Sequence, residues 1–155
     1  SSTTGVECTQ CQLCTRLTDR LSCDYTDSLT LLNHAARSQV TSVTFSTNAF
    51  FRFASQYRTN FYTFNYDVQN QKFLTNQEIL NYTNETQINA QLKANFKNPE
   101  GCFTTEPTLK DVTVVNFNKT SVCFTYGQYI LGAYACGVAE VNVPRTALKN
   151  DLLIK

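Results

Sequence analysis

Four cysteines stand close together near the N-terminus, in the arrangement of this chain that comes nearest to a chemical motif. Cys8, Cys11 and Cys14 follow a C-x-x-C-x-x-C spacing, and Cys23 lies nine residues further on. Thiolates at this spacing can ligate zinc or an iron–sulfur cluster, and a C-x-x-C pair can do redox chemistry. However, a second zinc knuckle, a complete cluster-binding run and a thioredoxin-like βαβ setting are all missing from the sequence. Disulfides are the favoured interpretation, a metal site the second and redox chemistry the third.

Three further cysteines, Cys102, Cys123 and Cys136, bring the total to seven. So many thiols in an exported chain are expected to be oxidised. We therefore predict at least two intrachain disulfides, one of which involves Cys123 or Cys136 across the C-terminal strands, and no bound metal or cofactor. The odd count leaves one thiol unpaired or paired with another chain.

Three N-x-[ST] sequons, at Asn81, Asn84 and Asn118, agree with export, because this pattern is glycosylated only on secreted chains. Asn81 and Asn84 are close enough to compete for one glycan, so Asn118 is expected to be the most occupied. Charged residues make up only 16% of the chain, and Thr, Asn, Gln and Ser supply the polar surface instead. With no methionine and no signal-like segment, the sequence is expected to be a mature, extracellular or cell-surface product.

Catalysis has little support in the residues. His34 is the single histidine, and it has no nucleophile motif around it. The carboxylates form no sequence-level pair, and five glycines make no phosphate-binding loop. A net charge of +1 argues against a nucleic-acid partner, and no apolar run is long enough to span a bilayer. We expect a non-enzymatic protein with no catalytic residues.

The length of 155 residues corresponds to one domain with an added arm. Residues 1–39 are assigned to a Cys-rich arm and connector and residues 40–155 to the domain. Period-two alternation predicts three adjacent strands between residues 40 and 66, with turns near Thr47–Asn48 and Arg58–Asn60. Residues 28–37 fit a short helix or a strand, and the pattern does not decide between them.

The second half of the chain mixes helices with strands. Thr75 and Glu78 form a capping-box pattern, which predicts a helical turn at 76–81, and a helix is expected over 83–96. Strands are predicted at 111–116, 120–126 and 138–143, followed by a short helical segment that Pro144 opens. The predicted fold class is α+β: a mostly antiparallel sheet with one covering helix, preceded by the Cys-rich arm.

Two stretches of the sequence resemble a known family. The first runs from Val43 through Phe61–Asp67 to Leu80, and the second runs from Phe124–Tyr134 through Gly137–Pro144 to Lys149. Residues 40–153 resemble a domain of unknown function found in the extracellular part of the anti-sigma factor RsiV and in the peptidoglycan deacetylase PdaC. The resemblance implies an α+β extracytoplasmic module, which in RsiV binds a protein ligand, lysozyme. It implies no catalytic residue.

Residues 1–23 lack the periodic apolar residues needed to bury themselves, so another surface must hold the arm. That surface belongs either to the same domain or to a neighbouring copy, and head-to-tail contacts of the second kind generate fibres. The first hypothesis is therefore a secreted structural protein, a filament or surface-layer subunit whose partners are copies of itself and which carries N-linked glycans. The alternative is an extracellular, RsiV-like module that binds a protein ligand.

Overall fold

The computed structural model describes residues 6–8, 26–36, 40–50 and 58–154. In its first half the described strands form one antiparallel sheet in chain order. These strands are β1 (Val6–Cys8), β2 (Thr26–Ala36), β3 (Val40–Phe50), β4 (Arg58–Asp67) and β5 (Lys72–Phe73). The undecided segment 28–37 is thus mostly strand, and it lies in the same sheet as β3.

The predicted turns at Thr47–Asn48 and Arg58–Asn60 are wrong, because both positions lie inside paired strands. Asn48 pairs with Ser28 of β2 on one side and with Thr59 of β4 on the other. Two flanking ladders satisfy the backbone of β3 along its length, and this outweighs the preference of Asn for turns. Of the three strands predicted between residues 40 and 66, the middle one, with alternation at Phe51 and Phe53, lies outside the described residues.

The second half of the chain carries the helices and a separate sheet. The helices are α1 (Asn76–Ile79), α2 (Glu85–Asn95) and α3 (Arg145–Leu148), with 3₁₀ turns at Tyr82–Asn84, Tyr134–Cys136 and Lys149–Asp151. The strands β6 (Val114–Phe117), β7 (Ser121–Tyr126) and β8 (Ala139–Pro144) form a three-stranded antiparallel sheet. The capping box at the start of α1 is confirmed, since Thr75 and Glu78 exchange hydrogen bonds there.

The hydrophobic core lies between one face of this three-stranded sheet and the helices. Residues of β6 to β8 alternate between the core and the opposite face, as a period-two pattern requires. The core cluster includes Val115, Phe117, Val122, Phe124, Tyr126, Val141 and Val143 from the strands, and Ile88 and Leu92 from α2. The α+β class is confirmed, although the strands form two antiparallel sheets where one was predicted.

A buried polar joint connects the two sheets. On the inner face of the five-stranded sheet, the Ser42 Oγ donates to Asn65 Oδ1 at 2.6 Å. Asn65 Nδ2 donates to the Val115 carbonyl at 2.9 Å, and the Phe117 N–H donates to Ser42 Oγ at 3.1 Å. The outer edge of β6 therefore abuts the inner face of β3 and β4, and these two side chains satisfy backbone groups that a neighbouring strand would otherwise have paired.

Among the residues that the structure describes, no helix has the length and apolar character needed to cross a bilayer.

Candidate functional site

The N-terminal arm contributes a short strand to the edge of the five-stranded sheet. Val6, Glu7 and Cys8 pair antiparallel with Leu29, Ser28 and Asp27 of β2, respectively. This pairing occupies only the beginning of β2, whereas β3 pairs with β2 along nearly its whole length. No described strand lies beside Thr30–Ala36 on the β1 side.

An edge of this kind can accept an additional strand. An unpaired row of backbone N–H and C=O groups is a template for pairing with another chain, and proteins use this mode of recognition repeatedly. Backbone pairing supplies affinity without requiring particular side chains. The beginning of β2 accepts a strand from the arm, and no described strand pairs with the remainder of that edge.

A second surface consists of aromatic side chains on the outer face of β4 and β5. Tyr62, Phe64 and Tyr66 alternate with inward-facing residues along β4, and Phe73 of β5 pairs with Tyr66. The exposed fractions of Tyr62, Phe64 and Phe73 are 49%, 47% and 65%. The Phe73 ring centroid lies 5.1 Å from that of Tyr66 and 6.2 Å from that of Phe64, in edge-on arrangements. We call these four residues the aromatic surface.

The period-two pattern placed Tyr62, Phe64 and Tyr66 on a strand but did not indicate which face of that strand would be exposed to solvent, and it assigned no strand to Phe73. Exposed aromatic residues in a cluster are typical of protein interaction sites, since aromatic residues are enriched there relative to the rest of a protein surface. The aromatic surface is therefore a candidate interaction site, and only the three-dimensional arrangement reveals it.

Two of the seven cysteines form a disulfide in the described residues. Cys102 and Cys136 are joined with a Cα–Cα distance of 5.6 Å, so Cys136 is in an intrachain disulfide, although the bond does not run across the C-terminal strands. The bond closes the loop that precedes β6 onto the 3₁₀ turn before β8. Gly132 permits this approach, because a Cβ there would stand 3.1 Å from the Cys102 carbonyl oxygen and 3.3 Å from the Cys136 Sγ.

Cys123, the other candidate in the domain, carries a free thiol on β7. Burial raises its pKa to about 11, and the nearby Glu140 carboxylate acts in the same direction. The thiol is therefore protonated at neutral pH and is a poor nucleophile. Of the arm cysteines, Cys8 lies in β1, while Cys11, Cys14 and Cys23 lie outside the described residues.

The structure separates the three sequons into two kinds. Asn81 and Asn84 both direct their side-chain amides at one buried carboxylate, that of Asp151. Asn84 Nδ2 donates to both carboxylate oxygens at 3.0 and 3.1 Å, and Asn81 Nδ2 donates to Oδ1 at 3.4 Å. A glycan on either nitrogen would disturb this junction between the start of α2 and the C-terminal segment. Nothing in the sequence pattern pointed to Asp151.

Asn118 is arranged differently, in the turn between β6 and β7. Its Oδ1 accepts hydrogen bonds from the Thr120 N–H at 2.9 Å and the Ser121 N–H at 2.8 Å. The oxygen thus holds the turn, while the Nδ2 that a glycan would modify is not used in these contacts. Among the three sequons, Asn118 is the one whose acceptor nitrogen the fold leaves uncommitted.

In the part of the chain that the structure describes, candidate catalytic and metal-binding residues do not converge. His34 lies in β2, opposite Val43 of β3. Across the described segments, no three His, Cys, Asp or Glu side chains are grouped so that they could hold a metal ion.

Comparison with known proteins identifies a solved structure of similar fold. No protein-family profile and no curated protein matches the chain. Among solved structures, the fold is similar to the crystal structure of a DUF3298 family protein from Pseudomonas aeruginosa PAO1, with a TM-score of 0.61 at 16% sequence identity. The match covers 83% of this chain and 62% of that structure, so this chain spans less than two thirds of its length. At this identity the likeness shows the fold, which is the α+β architecture that the sequence resemblance implied.

Proposed function

We propose that this chain is a non-enzymatic, secreted structural protein, a subunit of an extracellular filament or surface assembly that is linked through its N-terminal arm. The observation that carries the proposal is the pairing of Val6–Cys8 with the edge of β2. The same antiparallel pairing can form between two copies, with the strand of one copy added to β2 of the next.

The length of the linking segment allows this exchange. Residues 9–25 connect β1 to β2, and a chain of that length spans roughly 55–60 Å when it is fully extended. This exceeds the ~25–35 Å diameter typical of a small domain. The arm can therefore reach the sheet edge of a neighbour, and repeated head-to-tail contact of this kind produces an open fibre.

Two further features support assembly. The low charge content weakens the repulsion that keeps copies of a protein apart. The aromatic surface on β4 and β5 offers apolar area to a neighbouring copy, in addition to the backbone bonds at the sheet edge. An interface that combines both is expected to bury at least ~1,000 Å².

The test is the state of assembly of the full chain. We expect electron micrographs of protein prepared under native conditions to show fibres or sheets, and light scattering to give masses well above 17.5 kDa. Removal of residues 1–23 should give a folded monomer. A full chain that remains monomeric across the accessible concentration range would refute the proposal.

The aromatic surface favours a second candidate function, an extracellular module that recognises a protein ligand. Under this alternative the full chain is monomeric, and Tyr62, Phe64 and Phe73 contact the ligand. The paired substitution Tyr62→Ser and Phe73→Ser separates the two functions. It should abolish ligand capture if the chain is a binding module, and it should weaken but not abolish fibres that are held by strand addition.

A further inference from the structure

A polar cavity of ≈ 200 Å³ lies at the inner corner between the two sheets, away from the aromatic surface. The outward face of β6, β7 and β8 forms one wall, and Thr44 of β3 closes the other side. Its described lining consists of Thr44, Asn116, Asn118, Cys123, Thr125, Glu140 and Asn142. We call this space the corner cavity.

Asn116 is the feature of the corner cavity that indicates a ligand. Its side chain is 3% exposed and lines the cavity, and none of its amide hydrogen bonds is satisfied by the described residues. A buried amide without partners costs on the order of 1–3 kcal/mol. Native proteins rarely leave such a group unpaired unless a ligand or solvent supplies the missing partner.

The chemistry of the lining restricts the class of ligand. Amides and hydroxyls from Asn116, Asn142, Thr44 and Thr125 both donate and accept hydrogen bonds, whereas no Lys, Arg or His is among the described lining residues. In the corner cavity an anion would meet the Glu140 carboxylate and no described cation, and an apolar ligand would leave the amides unpaired. A neutral ligand with several hydroxyl groups satisfies donors and acceptors together.

A second space of ≈ 300 Å³ lies beside the corner cavity, and Asn95, Phe96 and Lys97 line it at the end of α2. The two spaces share Glu140 and Asn142 as lining residues, so a ligand that occupies both is longer than a single ring. Each part is no larger than the smallest pockets that hold drug-sized ligands. This size and shape fit two or three linked sugar rings.

We propose that the corner cavity and its extension form a binding site for a short, neutral saccharide, with one ring hydrogen-bonded to Asn116. The saccharide has two possible sources. It is either a free glycan of the surroundings or a glycan attached to Asn118 of this chain, a residue that lines the cavity and whose Nδ2 is not used in the hydrogen bonds of the β6–β7 turn. The proposal does not depend on assembly of the chain.

The first arm of the test uses the unglycosylated full chain and a free saccharide. Neutral disaccharides (diacetylchitobiose, cellobiose and maltose) are titrated while the Asn side-chain amide signals are followed by NMR. We expect at least one of them to cause saturable shifts at Asn116 and Asn142. Asn116→Ala should weaken its binding at least 10-fold, whereas Asn150→Ala, at an exposed position outside the cavity, should not change it. If Asn116→Ala fails to fold, Asn142→Ala at the exposed rim serves the same purpose.

The second arm uses the chain as its native source makes it. Peptide mass spectrometry then shows whether Asn118 carries sugar, and Asn118→Gln in that host shows whether the Asn116 amide signal returns to its unliganded position. An attached glycan that shifts the Asn116 signal supports the covalent source, and saturable binding in the first arm supports the free one. The proposal is overturned if no disaccharide binds and Asn118 is unmodified, if binding is unchanged in both cavity variants, or if an attached glycan leaves the Asn116 signal unmoved.

Discussion

At the scale of single residues, Cys123 illustrates how position on a strand sets reactivity. It faces the corner cavity, where burial raises the pKa of its thiol to about 11. The thiolate is the nucleophilic form, and an unperturbed thiol titrates near 8.5. Its thiolate fraction at pH 7 is thus roughly 100-fold or more below that of an unperturbed thiol.

We therefore predict slow alkylation of Cys123 in the folded chain. Peptide-resolved mass spectrometry after iodoacetamide treatment at pH 7 should show labelling at least ~100-fold slower than in urea. The rate should rise with pH up to about 11. Labelling of the native protein as fast as that of the unfolded one would contradict the structure at this site.

The raised pKa of Cys123 also makes the free energy of unfolding decrease as the pH rises. Because folding raises the pKa of this acid, the folded state gains stability from it below the unfolded pKa and loses that contribution as pH rises toward 11. Cys123→Ala should consequently flatten the decline of the free energy of unfolding between about pH 8.5 and pH 10. Burial also raises the pKa of Tyr126, and this effect remains in the variant as a further alkaline decline.

Asp151 is a second residue whose importance only the fold reveals. Its buried carboxylate accepts amide hydrogen bonds from Asn81 and Asn84 and thereby fastens the start of α2 to the C-terminal segment. We predict that Asp151→Ala lowers the free energy of unfolding by about 2 kcal/mol, since both amides lose their partner.

Urea denaturation measures this change, and an exposed carboxylate provides the matched control. Glu106 pairs with Lys93 at 2.7 Å, with both side chains 65% exposed, so Glu106→Ala should cost less than ~1 kcal/mol. Equal effects of the two substitutions would show that the Asp151 junction does not stabilise the fold.

At the scale of elements, the sequence was most informative where one local signal had no competitor. The capping box at Thr75 and Glu78 specified α1, and the helix expected over 83–96 is confirmed as α2, which buries Ile88 and Leu92, because signals of this kind act within a few residues. The turn predicted at Thr47–Asn48 was wrong because the residues that pair with Asn48, Ser28 and Thr59, are remote along the chain.

The same physical limit applies to the candidate surfaces. Alternation along β4 identified Tyr62 and Phe64 as strand residues, but the exposed face depends on where β6 docks through Ser42 and Asn65. No local pattern encodes that docking. The sequence likewise did not predict that Cys102 pairs with Cys136, because spacing alone does not determine which cysteines far apart in sequence form a disulfide.

This disulfide is expected to be a major stabilising element of the second half of the chain. It joins residues 34 positions apart, and closure of a loop of that size in the unfolded state corresponds to about 3–4 kcal/mol in the chain-entropy model. The paired substitution Cys102→Ala and Cys136→Ala should therefore lower the free energy of unfolding by about 3 kcal/mol.

Urea denaturation of the non-reduced protein is the appropriate measurement, since a reductant would also act on cysteines elsewhere in the chain. Cys123→Ala, at a free thiol, is the control at neutral pH and should retain most of the stabilisation that the Cys102–Cys136 disulfide provides. A loss below ~1 kcal/mol in the paired variant would mean that the loop is held by other contacts, such as the bridge between Phe103 and Gly132.

At the scale of the whole molecule, assembly depends on whether β1 pairs within its own chain or with the next copy. A three-residue strand forms few hydrogen bonds, and each contributes only ~0.5–1.5 kcal/mol, so pairing within one chain is weak and open to exchange. Two deletions distinguish the contribution of β1 to assembly from that of the residues before it. Removal of residues 1–8 eliminates β1, while removal of residues 1–4 leaves it in place.

We predict that the chain lacking residues 1–8 is folded but monomeric, whereas the chain lacking residues 1–4 assembles like the full chain. Light scattering and electron microscopy provide the measurement, and the thermal unfolding midpoint of each variant checks that the domain remains folded. Assembly by strand addition should also survive a reductant, because backbone hydrogen bonds hold the copies together. If the chain without residues 1–8 still forms fibres, the aromatic surface or the remaining arm cysteines join the copies. If a reductant alone disperses the fibres, disulfides of the arm cysteines join them. In either case β1 does not hold the copies together.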